Sequence, residues 1–335
     1  MKQSFTIFIL LFWCTNLFGQ VTSPSESEMI KTVKEEFTDF KVITSEHYII
    51  AYQTSDAYAD WYRQMVENMH RSFTDFWKKR EASLIPLEEP LVVVLYTSRP
   101  AFLKYAVDYF SGDQELKNFA GFYHVRKNYI FLYDSSQIYV PYIGTGSGKV
   151  IGAATGQTAT TEQIAEFRKR PGIENSIELL IHEGAHQLSF NTGLLSRRAD
   201  CPVWLTEGVA MIRGASKRKA KNGWEINLKI DDRWYPELRK YLRTNPQDPI
   251  LSTVKNDALF GDNKTQIHGY AMAWGLTFYL MTKYPKEYIE YMNTVNQPTL
   301  SRRTKEARQQ NFEQHFGKDW KKLEDDFAKE MMRLW

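Results

Sequence analysis

Cysteine is almost missing from this sequence. Two occur in 335 residues, Cys14 and Cys201, and the first lies in a leader-like start, so no disulfide framework is expected and packing must hold the fold. Charge of one sign is lacking too. Lys and Arg number 43 against 40 Asp and Glu, a net charge of +3, which argues against a dedicated nucleic-acid binder. After the start of the chain, no run is long and apolar enough to cross a bilayer. What is plentiful is core material. Apolar residues make up 43% and aromatics 14%, enough for a sizeable interior and one or two domains.

Met1-Lys2-Gln3 is short and positively charged, and Phe5 to Phe18 is mostly apolar, with Gly19 after it. That run of about 14 residues falls short of the roughly 20 a membrane span needs, so residues 1–20 read as a secretory signal peptide. An uncleaved anchor and a lipid anchor at Cys14 are the other readings, the second disfavoured by the bulk of Phe12-Trp13. The expected location is therefore extracytoplasmic, periplasmic or secreted. Residues 21–35 are polar with Ser and Pro and read as a tether.

From residue 36 the pattern is mixed. Lys41 to Tyr52 is β-branched and aromatic and predicts a strand, and Leu91 to Tyr96 is a continuous apolar run, hence a buried one. Ser55 to Lys79 places apolar residues at helical spacing, and Ala101 to Phe110 predicts a further helix. Phe119 to Tyr133 reads as two short strands around a turn near Arg126-Lys127-Asn128. Residues 36–140 are thus expected to form a small α+β unit with a mixed sheet. Residues 141–160 are a Gly-rich loop that lacks the Lys-Ser/Thr ending of a phosphate loop. Residues 161–335 are overwhelmingly helical in pattern, apart from a short Trp224 to Ile230 strand, and the basic stretch Lys217 to Gly223 reads as a solvated turn.

The chemistry is concentrated in Glu174 to Phe190. His182 and His186 are four residues apart, so both imidazoles fall on one helix face, with Glu183 beside them. Two neutral imidazoles and an adjacent carboxylate are what a catalytic zinc helix needs: the histidines ligate, and the carboxylate takes a proton from water. With 7 His in the chain, the pattern would arise by accident in roughly 1% of sequences of this composition. Such a metal needs a third protein ligand. Glu207 is one acid inside the apolar stretch Pro202 to Met211, and twenty residues after His186 leave room for a helix end near Asn191-Thr192-Gly193, a loop and a returning helix. A helix-start carboxylate is the other reading of Glu207. Cys201, in Asp200-Cys201-Pro202, reads as a small structural residue, and His47, His70, His124 and His315 read as isolated structural histidines.

HEGAHQLSFNTGL followed by PVWLTEGVAM resembles the gluzincin metallopeptidases, and more narrowly the exported bacterial proteins of the domain-of-unknown-function family numbered 1570. Ala120 to Tyr123 and Phe312 to Phe316 are weaker echoes of that family. The resemblance implies a mainly α-helical zincin-like catalytic domain after the sheet unit, and zinc held by His182, His186 and Glu207 with Glu183 as general base. It also implies that Tyr270 stabilises the oxyanion, where His268 is the other candidate. Two departures stand out. Gly184 inside the helix costs of order 1 kcal/mol relative to Ala, and Ile212-Arg213-Gly214 replaces an aromatic-acidic continuation.

The expected function is an exported zinc-dependent hydrolase that cuts peptide bonds in a peptide or protein substrate. The alternative is a non-catalytic extracytoplasmic binding module for a cell-envelope polymer on the same scaffold. An exposed sheet edge from the 119–133 region is expected to hold an extended peptide by strand addition.

Overall fold

The computed structural model describes residues 25–109, 121–134, 161–169, 173–212, 228–244, 247–262 and 264–334. The expected signal peptide, the Gly-rich loop and the basic turn lie outside them, as do residues 224–227 of the expected short strand; residues 228–230 carry no regular structure. The fold is α+β, with a small mixed sheet first and a mostly helical C-terminal region. By compactness the residues divide into two units, one drawn from 1–70 and 87–187, the other from 71–86 and 188–335. The sheet unit therefore takes in the helices up to Gln187, beyond the boundary expected at 141–160.

The sheet unit opens with helix α1 (Glu26–Glu36), where the sequence suggested a tether. Ser25 and Glu28 explain the difference. The Ser25 hydroxyl accepts the Glu28 backbone N–H, and the Glu28 carboxylate accepts the Ser25 N–H at 2.8 Å, a reciprocal cap that starts the helix. Val33 and Phe37 then bury their side chains in the core, so the segment is docked rather than free.

Strands β1 (Lys41–Thr44) and β2 (Tyr48–Tyr52) form an antiparallel hairpin, splitting the single strand read from the sequence at Ser45-Glu46-His47. Helix α2 (Asp56–Lys78) crosses over to β3 (Leu91–Tyr96), which pairs in parallel with β2. Helix α3 (Arg99–Tyr109) follows, then β4 (Gly121–His124) and β5 (Tyr129–Tyr133), joined by a turn in which Asn128 takes φ 62°. The strand order is β1-β2-β3-β5-β4, with β3 and β5 parallel and β4 antiparallel on the end. β2 and β3 lie inside the sheet and are buried throughout, which is why they read as unbroken apolar runs instead of alternating ones. On one face Ile49, Val92, Val94 and Phe131 pack with Phe37 and Phe102. Helices α4 (Thr161–Lys169) and α5 (Ile173–Asn191) complete this part of the chain.

The helical unit contains α6 (Val203–Met211), α7 (Trp234–Thr244), α8 (Pro249–Lys255), α9 (Gln266–Lys283), α10 (Pro285–Val295), α11 (Lys305–Phe316) and α12 (Trp320–Arg333). Its centre is α9, buried along most of its length and packed closely against α6 and α7. The α6–α9 approach depends on a missing side chain. A Cβ on Gly208 would lie 2.0 Å from Thr277 Oγ1 and 2.8 Å from the Ala273 carbonyl oxygen, and the latter is backbone that cannot swing away. Gly208→Ala is expected to destabilise the protein by about 1–2 kcal/mol, overpacking outweighing the better helix propensity of alanine. Urea unfolding would show it as a lowered midpoint at unchanged slope.

Candidate functional site

Helix α5 runs from Ile173 to Asn191 and stops where the sequence predicts, at Asn191-Thr192 followed by Gly193 with φ +73°. Its i and i+4 imidazoles meet. His182 Nε2 and His186 Nε2 are 3.1 Å apart, with the rings at 85° to each other and centroids 4.7 Å apart. Both histidines are 1% exposed and Glu183 between them is fully buried.

Glu183 is oriented by the sheet. Its Oε2 accepts the backbone N–H of Tyr123 on β4 at 2.7 Å. This fixes the carboxylate's direction beside the two imidazoles, and it takes up one outward donor of the strand expected to receive a peptide. One turn on, Gln187 donates from Nε2 to the carbonyls of Asn128 (2.6 Å) and Val92 (3.1 Å), tying α5 to the β4–β5 turn and to β3. Two glycines permit the approach. A Cβ at Gly121 would lie 2.8 Å from the Phe131 carbonyl and 2.9 Å from Leu179 of α5, and one at Gly184 would overlap the end of the Met69 side chain of α2. Gly184 thus gives up helix propensity for contact with α2.

In the helical unit, Glu207 sits on α6, where every residue from Trp204 to Met211 is buried, and is itself 1% exposed. The start of α6 is anchored by charge. Asp257 accepts the Val203 N–H at 3.1 Å and is held by the Arg308 guanidinium at 2.9 Å, which also reaches Asp200 at 3.4 Å. Trp204 stacks on Tyr291 with centroids 5.8 Å apart, fixing the helix about its own axis. Tyr270, on α9, is buried with its ring 5.6 Å from Trp234 and 5.8 Å from Phe260. His268, two residues earlier, is half-buried against Tyr241 at 5.0 Å. Burial, and then the charge of Lys240, hold its pKa below the ordinary histidine value.

The other singled-out residues divide. Burial pushes the Cys201 thiol up to about 12, consistent with a structural residue and not a nucleophile. His124 Nδ1 accepts the Lys127 N–H and His315 bonds Thr294, as structural histidines would. His47 and His70 are not isolated, contrary to expectation, for their rings stack on one another. Sequence reasoning missed the Tyr123 amide and Gln187. A backbone donor sixty positions from its acceptor leaves no mark of its own, and Gly121, in the Ala120 to Tyr123 echo, was the available signal.

Residues 176–300 match a protein family described as "Protein of unknown function (DUF1570)". That span contains His182, Glu183, His186, Glu207, His268 and Tyr270. No curated protein matches the chain.

Replacing Gln187 by Leu removes two hydrogen bonds to main-chain carbonyls at a fully buried position. The expected cost is about 1–3 kcal/mol in urea unfolding, because the carbonyls keep their desolvation penalty while losing the donor.

Proposed function

We propose that this protein is an exported zinc-dependent metallopeptidase-like hydrolase whose helical region is a zincin-like catalytic domain. The observation that carries the reading is the α5 constellation: two buried imidazole nitrogens 3.1 Å apart, with the intervening carboxylate held by a sheet amide. His182 and His186 would hold the metal, and Glu207 supplies the third protein donor. All three are buried. Two imidazoles and a carboxylate form a donor set that suits zinc and leaves a coordination position open. Zinc bound there would lower the pKa of water to about 7 and polarise a peptide carbonyl.

The chain's own groups do the rest. Glu183, its direction set by the Tyr123 N–H, accepts the proton that water gives up and passes it to the departing amine nitrogen. Tyr270 donates its hydroxyl proton in a hydrogen bond to the negative oxygen that develops on the former carbonyl, and His268 is the alternative donor. The match to a family without an assigned activity is compatible with this chemistry and does not name a substrate.

Elemental analysis and a peptide-library digest test the proposal together. Purified wild type is expected to retain a zinc equivalent that His186→Ala lacks. Glu183→Gln is expected to keep that zinc and lose hydrolysis by about 10²–10⁴-fold, the usual worth of a general base. Full turnover in Glu183→Gln would overturn its role. Zinc retained equally by His186→Ala would overturn the ligand assignment. A zinc-loaded wild type that cuts no library member would leave the binding module for an envelope polymer as the function.

A further inference from the structure

A second set of metal-type donors lies in the sheet unit, on residues that play no part in the α5 constellation. His47 occupies the turn between β1 and β2, while Glu67 and His70 are three residues apart on α2 and share one face of that helix. Glu67 grips the turn with both oxygens. Oε1 accepts the His47 backbone N–H at 2.8 Å, and Oε2 meets His47 Nδ1 at 2.8 Å. The His70 ring stacks on His47 with centroids 3.9 Å apart and planes 28° from parallel. One ligand atom from each of the three residues lies within 4.8 Å of the others. The His47 and Glu67 side chains are 26% and 22% exposed, so the cluster opens to water on one side.

We infer that His47, Glu67 and His70 form a separate, solvent-accessible binding site for a divalent transition-metal ion of the zinc, nickel and copper class. The donor set decides the class: two imidazoles and a single carboxylate suit these ions, whereas magnesium and calcium want oxygen throughout. The adjustment required is small at the His47–Glu67 pair, while His70 has to turn its ring out of the stack to aim a nitrogen lone pair at the ion. Donors 2.0–2.2 Å from a tetrahedral ion stand roughly 3.3 Å apart, so an ion taking the place of the hydrogen between Nδ1 and Oε2 opens that pair by about half an ångström. The main-chain bond from His47 to Oε1 supports the carboxylate from outside, as a ligand's own hydrogen-bond partner should. Water reaching the exposed side fills the remaining positions. An ordinary pin between the β1–β2 turn and α2 would explain the Glu67–His47 bonds alone, whereas His70 adds a third metal-type donor within 4.8 Å of the other two.

Zinc titration of the metal-free full chain against a chromophoric chelator tests the site, using wild type, His70→Ala, Glu67→Gln, and His70→Ala combined with His186→Ala. His70 is half-buried on a helix surface, so its removal is expected to leave the circular dichroism spectrum unchanged. The expected result is that His70→Ala and Glu67→Gln each bind one zinc equivalent fewer than wild type, or bind it more than about tenfold more weakly. Histidine loss at position 70 should have the same effect in the His186→Ala background. If the α5 constellation takes no metal, wild type binds a single equivalent that His70→Ala removes, so the two readings fail separately. Equal stoichiometry and affinity in wild type and His70→Ala would overturn this site.

Discussion

Burying two imidazoles, a carboxylate and a carboxamide within two turns of one helix is the constraint that the surrounding structure serves. His182, Glu183, His186 and Gln187 are all at most 1% exposed, and polar groups at that depth cost several kcal/mol unless they find partners. The sheet supplies them. An amide of β4 goes to Glu183, and carbonyls from β3 and the β4–β5 turn go to Gln187. The parallel pairing of β3 with β5 and the turn at Asn128 therefore act as a mould for α5, and the glycines at 121 and 184 let helix and mould approach to van der Waals distance.

Much of this was legible beforehand, and the boundary between legible and hidden has a physical reason. Periodicity located α2, α5 and β3 almost to the residue, because burial on one face or on both imposes a period that the sequence must carry. The His182–His186 pair was legible for the same reason, since neighbours on a helix are fixed by spacing alone. Contacts between distant segments were not. Tyr123 contributes to Glu183 through its main chain, which no choice of side chain encodes, and the stacking of His47 on His70 joins a turn to a helix twenty-three positions later. Helix α1 failed differently. Its Ser25-x-x-Glu28 cap was present, but polar composition outweighed it, although Val33 and Phe37 at i, i+4 were enough to dock the segment.

The two groups of donors show how one kind of chemistry changes with setting. On α5 the imidazoles sit where water is excluded, so electrostatic interactions with them are strong and a group bound there would leave only if the protein opened. At the β1–β2 turn and α2, His47 and Glu67 are partly exposed, and an ion bound there would exchange with bulk solution. The first setting suits a resident group and the second a responsive one. Helix pitch sets two donors of each group, His182 and His186 at i, i+4 on α5 and Glu67 and His70 at i, i+3 on α2.

Strand β4 stands last in the sheet order, and such a rim ordinarily invites a neighbouring molecule to extend the ladder. Here the central N–H of a four-residue strand is already given to a carboxylate. A stray strand approaching this rim would forfeit that bond. An added strand would therefore have to displace a buried side chain before it could pair at this position, so helix α5 closes the rim as well as carrying the imidazoles.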